Sequence, residues 1–169
     1  MSQSQHLKSM NSRSKQDWET PLETFDYWTE KLALTPILDV CATDETSKCE
    51  RYYTKEDNAL VKDWINPWFM NPPYDEVSKW MEYSWKQFLK YRQDGMIIVF
   101  NKTEVKWFHK LIYDEKKLRL RKNVEVYFGK GRLKFLENGL PSKHPAPHGI
   151  MVIVFSTTSL KERRKRCYR

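Results

Sequence analysis

At 169 residues the chain has room for one compact domain with a full core, and not comfortably for two. No apolar run approaches the ~20 residues that span a bilayer, and the polar, Ser-rich start from Met1 to Lys15 carries no secretory h-region, so a cytoplasmic protein is expected. The net charge of +8 is unevenly laid down: residues 1–115 sum to −4, residues 116–134 to +7 and residues 161–169 to +5, a polarity that suits a polyanion held by one part while another does something else.

In chain order, residues 1–15 read as a disordered leader, with no periodicity and little to bury. One domain is expected over 16–157, followed by a basic tail over 158–169. Thr20-Pro21-Leu22-Glu23 has the pattern of a helix start, with Thr20 as N-cap, and Phe25, Trp28 and Leu32 then recur at helical spacing. Ile37 to Val40 predicts a short buried strand that meets a carboxylate, Asp39. Tyr52-Tyr53 reads as a short strand and Asp57 to Trp64 as a helical turn or loop. Trp68-Phe69-Met70 is a second apolar strand, stopped by Asn71-Pro72-Pro73-Tyr74.

Val77, Trp80, Met81, Trp85 and Phe88 predict an amphipathic helix to about Tyr91, and Met96 to Phe100 a strand buried on both faces. Trp107, Phe108, Leu111 and Ile112 supply another helix face. In that segment Trp107 reads as core and His109 receives no role. Beyond it the period changes to two, in Leu118 to Arg121, in Val124 to Phe128 and, after Gly129-Lys130-Gly131, in Arg132 to Phe135. Ile150 to Phe155 is a last apolar strand. Helix–strand alternation followed by a basic hairpin predicts an α/β fold, a mainly parallel sheet with helices on both faces and antiparallel strands near the C-terminus.

The Asn71 to Tyr74 loop carries the chemistry. The lone pair of an arylamine is delocalised into its ring, so the nitrogen is a poor nucleophile. Two acceptors placed to receive its two N–H bonds favour a pyramidal nitrogen whose lone pair points at a methyl donor. The Asn71 amide oxygen and the Pro72 main-chain carbonyl can be those acceptors. Pro72 and Pro73 fix the backbone and compete with no N–H of their own, and Tyr74 offers a flat face for stacking. Three cysteines, without Cys-x-x-Cys spacing or a close His, suit neither a disulfide framework nor zinc, and no metal is expected.

Asp17 to Pro21, Leu38 to Ala42, Arg51 to Thr54 with Asp57 and Leu60, Asn71 to Tyr74, Lys106 to His109 and Gly131 to Phe135 follow one another in a fixed order. With these segments the chain resembles the phage-type DNA N-6-adenine-methyltransferases, the small Dam-like family, from about residue 16 to 156. The resemblance implies a Rossmann-like fold and S-adenosylmethionine as methyl donor. It implies cofactor contacts from Trp18, Thr20, Pro21, Asp39, Cys41, Ala42 and Asp57, and catalysis by Asn71, Pro72, Pro73 and Tyr74.

One departure stands out. No glycine-rich loop follows the first strand, because all five glycines lie at or after Gly95, so Cys41 and Ala42 must allow the close approach instead. The basic hairpin is the expected DNA grip, with Arg119 beside Arg121 and Arg132 beside Lys134, and the target base would be flipped out of the duplex. The same loop would also serve methylation of an RNA amine or a protein glutamine, and a non-enzymatic DNA-binding module is a further alternative.

Overall fold

The computed structural model describes residues 18–137 and 139–167, so the expected leader over 1–15 lies outside it. A first helix, α1, runs Leu22–Leu32, and strands β1 (Leu38–Asp39) and β2 (Arg51–Tyr52) follow. A 3-10 turn at Ala59–Val61 leads to β3 (Trp68–Met70), α2 (Val77–Tyr91), β4 (Gly95–Phe100) and α3 (Lys106–Leu111). Then come β5 (Tyr113–Asp114), β6 (Arg119–Leu120), β7 (Val124–Phe128), β8 (Leu136–Glu137), β9 (Leu140–Pro141), β10 (Ile150–Phe155) and α4 (Leu160–Cys167).

Six strands form one sheet in the order β2-β1-β3-β4-β10-β7. The first four are parallel, and β10 is antiparallel to both β4 and β7. The sheet sorts its residues with period two. Ile97, Val99, Ile153 and Phe155 face Trp80, Met81 and Phe88 of α2 and Trp107 and Phe108 of α3. Met96, Ile98, Val152 and Val154 face the other way, toward Phe25 and Leu32 of α1. At Gly95 the Trp68 indole crosses so closely that a β-carbon would sit 2.1 Å from the ring.

Three local expectations differ from the structure. Thr20 caps nothing: Pro21 holds the N-cap position of α1, and the Thr20 hydroxyl has no partner among the described residues. The basic hairpin does not form either. β7 pairs with β10 instead, Phe128 opposite Met151 and Val124 opposite Phe155, while the chain leaves the sheet beyond Gly129 and turns at Gly131, whose φ is positive. The reason is hydrophobic: all six residues of β10 are buried, so it takes an interior position between two strands. Arg119-Leu120 pairs separately with Tyr113-Asp114.

The basic tail is likewise a helix in large part. Arg163, only 3% exposed, pins α4 by donating from Nε to the Leu32 carbonyl (2.9 Å), from Nη1 to the Thr158 carbonyl (2.6 Å) and from Nη2 to Glu125 Oε2 (2.6 Å).

Candidate active site at the carboxyl ends of the parallel strands

β1, β3 and β4 all end at one edge of the sheet, which the strand register places beside the start of β10 and the end of β7. In open α/β sheets this is the edge where ligands bind. Asp39 ends β1 and is buried. Its Oδ1 accepts the Cys41 N–H (3.2 Å) and its Oδ2 the Lys48 N–H (3.0 Å), so one carboxylate shapes the whole 41–48 loop. Burial raises its pKa to about 6, against the opposing pull of the Lys48 and Cys41 N–H groups and the Lys48 charge. Burial and the Asp39 charge push the Cys41 thiol well above its ordinary value. Ala42 follows, tied by its N–H to the Tyr53 carbonyl. Asp57 is exposed, and its Oδ2 closes a turn by accepting the Thr54 N–H (2.9 Å) and hydroxyl (3.0 Å).

Asn71 sits directly after β3. Its Nδ2 donates to the Trp18 carbonyl, while its Oδ1 is buried with no partner among the described residues. The Thr20 and Tyr74 hydroxyls are buried and unpartnered in the same sense. A buried polar atom left alone costs roughly 1–3 kcal/mol, so three of them on the two segments that the Asn71–Trp18 bond joins mark a place prepared for a polar ligand. The Pro73 carbonyl accepts the Glu76 N–H, whereas the Pro72 carbonyl receives no hydrogen bond among the described residues.

Tyr74 differs from a free stacking platform. Its ring lies on Phe100, with centroids 3.9 Å apart and planes 18° apart, so one face is already covered. Trp18, Phe100 and Phe135 meet edge to face around it. Phe100 and Phe135 pack on this candidate site and were not picked out from the sequence. The signal for Phe135 was its inward position in the Leu133/Phe135 alternation, and for Phe100 its place at the last position of a fully apolar strand. Phe135 is fully buried, and its neighbour Leu136 pairs through both N–H and carbonyl with Glu19, which holds residues 18–20 against the edge.

The four expected DNA-binding cations part company. Arg132 and Lys134 are exposed on the segment that leaves β7 at the Asn71 end of the sheet. Arg119 and Arg121 precede β7, at the end of the sheet where Val124, Phe155 and Gly95 meet, opposite Asn71. Arg121 Nη2 donates to the His109 carbonyl (3.4 Å).

The chain is similar over 155 residues to the DNA N-6-adenine-methyltransferase of Escherichia phage T1, at 26% identity, covering 86% of this chain and 63% of the phage protein. It is similar over 65 residues to YfdM, a candidate methyltransferase of Escherichia coli (strain K12), at 38% identity, covering 34% of this chain and 69% of that protein. The sequence model of the DNA N-6-adenine-methyltransferase (Dam) family matches residues 8–167, nearly the whole chain. A match of that extent, on a chain whose strand-end loop presents an unpaired amide oxygen, places this protein in the DNA N-6-adenine-methyltransferase (Dam) family, the enzymes that methylate the 6-amino group of adenine in DNA.

Proposed function

We propose that the methyl group comes from S-adenosylmethionine and is transferred at the Asn71–Tyr74 loop to an adenine flipped out of duplex DNA. The observation that carries this reading is the buried, unpartnered Oδ1 of Asn71 beside the unused carbonyl of Pro72. Together they accept the two N–H bonds of the adenine amine and leave its lone pair free to attack. The Asn71–Trp18 hydrogen bond fixes which end of the amide is offered, so the acceptor is set before substrate arrives. An adenine between Tyr74 and the strand ends would be held by stacking on the Tyr74 face that Phe100 does not cover.

The residues present fit the cofactor. S-adenosylmethionine supplies, when bound, a methyl group on a positively charged sulfur. Cys41 and Ala42 keep the loop after β1 small, and Asp39 holds it in shape through two backbone N–H groups. The unpartnered Thr20 hydroxyl supports contact from the 18–21 segment, which includes Trp18 and Pro21, and Asp57 stands at the next loop along the same edge. The sheet order, with β10 reversed between β4 and β7, supports a Rossmann-like methyltransferase fold. Arg132 and Lys134 grip the duplex through its phosphates. No helix among the described residues is long and apolar enough to cross a membrane, and we place the enzyme in the cytoplasm with its substrate.

The test is methyl transfer from labelled S-adenosylmethionine to duplex DNA, single-stranded DNA, RNA and protein in parallel, with Asn71→Ala beside the wild type. Label on the adenine N6 position of DNA, lost in Asn71→Ala, is the expected result. Transfer only to RNA or protein, or an undiminished Asn71→Ala, overturns it.

A further inference from the structure

The end of the sheet away from Asn71 has its own constructed cleft. Trp85 and Leu89 of α2 form one wall. Lys117, Arg119, Arg121 and Lys122, on and around β6, form the other, around an open cleft of about 320 Å³. Residues 116–122 hold five cations and no acid. Asp114, which also lines the cleft, is already engaged: its Oδ1 accepts the Lys116 (3.1 Å) and Lys117 (3.2 Å) N–H groups and its Oδ2 lies 3.9 Å from Lys117 Nζ. Arg121 is the telling member. While its Nη2 donates to the His109 carbonyl, its Nε–H is buried with no acceptor among the described residues. A guanidinium N–H needs an acceptor, and a phosphate oxygen is among the strongest it can take.

The positive field continues past the cleft. The Ser156 N–H donates to the Asn123 carbonyl, and the helix that follows carries Lys161, Arg164, Lys165 and Arg166, with Arg163 and Arg164 bonded to the Leu32 and Lys31 carbonyls at the end of α1. The cleft end of the sheet is separated from the catalytic edge by the six residues of β4, about 17 Å at the rise of a strand. Lys117 and Lys122 therefore lie at the far end of the strands from the Asn71 loop.

We infer that the cleft between α2 and the β5–β6 ribbon is a second phosphate site, which seats the backbone of a nucleic-acid segment other than the one being methylated. The choice of nucleic acid as the polyanion rests on the DNA reading above. The site itself rests on Arg121 and its neighbouring cations.

The experiment is capture of a second duplex. The full chain is loaded on a tethered duplex at low salt, washed, and offered a second, fluorescent duplex. Wild type captures it, and Lys117→Glu/Lys122→Glu captures at least about tenfold less while binding and methylating the tethered duplex as wild type does. Lys117→Gln/Lys122→Gln, which only neutralises, falls between them, and an unchanged melting temperature shows that both variants are folded.

Equal capture by the charge-reversed variant overturns the inference, and is also what a dimer using two catalytic edges would give. Parallel loss of tethered-duplex binding overturns it too, since the cations would then belong to one continuous track. No capture by wild type does the same. Capture that depends on Lys117 and Lys122 in a protein that methylates no DNA would leave the second site standing and remove the methylation reading instead.

Discussion

Asn71 and Trp18, 53 residues apart in the chain, are joined by a hydrogen bond from the Asn71 amide nitrogen to the Trp18 carbonyl. The bond commits one end of the amide to the protein and leaves the other end for a ligand. Asn71→Ala removes both functions. Turnover is expected to fall by roughly 10²–10³, the usual loss for one preorganised hydrogen bond to a transition state. Calorimetry should find S-adenosylmethionine binding largely retained. Asn71→Asp keeps an acceptor but sets an anion against the Trp18 carbonyl, so it should loosen residues 18–20. Hydrogen exchange at Glu19 and Leu136, which bond to one another, reports that loosening.

Asp39 links the 41–48 loop to pH. Its pKa of about 6 in the folded protein, against an ordinary 3.8, means that the ionised form is the costly one. Its contribution to fold stability is therefore fully present below pH 3.8 and is lost as the pH rises through about 6. Cofactor affinity should run the other way. Protonation below pH 6 weakens the hold on the Cys41 and Lys48 N–H groups, so affinity falls as the loop slackens. Titration calorimetry across that pH should show the change in wild type and a flat profile in Asp39→Asn. A flat profile in both removes Asp39 from cofactor binding.

Neutralising Arg132 and Lys134 to Gln should weaken duplex binding about equally for all sequences. Each phosphate left without its cation makes the slope of log K against log salt shallower by about 0.9. Cofactor affinity should hardly move. An unchanged salt slope would show that both cations are merely solvated.

Arg163→Ala leaves Glu125 without its cation and the Leu32 and Thr158 carbonyls without their donor. Breaking such a pair costs about 3 kcal/mol, the low end of the usual range because Glu125 is partly exposed. Chemical denaturation should show it as a lower midpoint. Arg164→Ala, on the exposed side of the same helix, should change the midpoint little.

Gly95→Ala is expected to cost about 1–3 kcal/mol, because the new methyl meets the Trp68 ring and the core is already filled. Trp68→Phe in the same background should recover part of that stability by giving the methyl room, read as an upward shift in melting temperature.

The apolar elements were legible in the sequence because burial wrote them there. Trp68 to Met70, Val77 to Tyr91 and Ile150 to Phe155 are found where their periodicity put them. The Asn71 loop was legible because Pro72 and Pro73 end a strand without ambiguity. What escaped was pairing. Alternation in Arg132 to Phe135 says that Leu133 and Phe135 point inward, and they do, but it does not say onto what. Phe135 closes over Trp18, Tyr74 and Phe100, while the strand that begins at Ile150 takes the place beside β7. The charge of residues 161–166 misled in the same way, because composition does not reveal that one arginine among five cations is buried.

β10 is made last among the strands, and it lies between two strands made earlier. During synthesis β4 and β7 emerge with nothing between them, and each must wait with an open hydrogen-bonding edge. Phe135 settles against Trp18 and Tyr74 only once Ile150 is in place beside Phe100, because Asn101 bonds to Gly149 and Gly129 to Ile150. A chain cut short before Ile150 would thus be an aggregation hazard with no partial activity. Pairing of such distant segments is also slow. Methylation competence should switch on in one late step of refolding, together with the burial of Phe155.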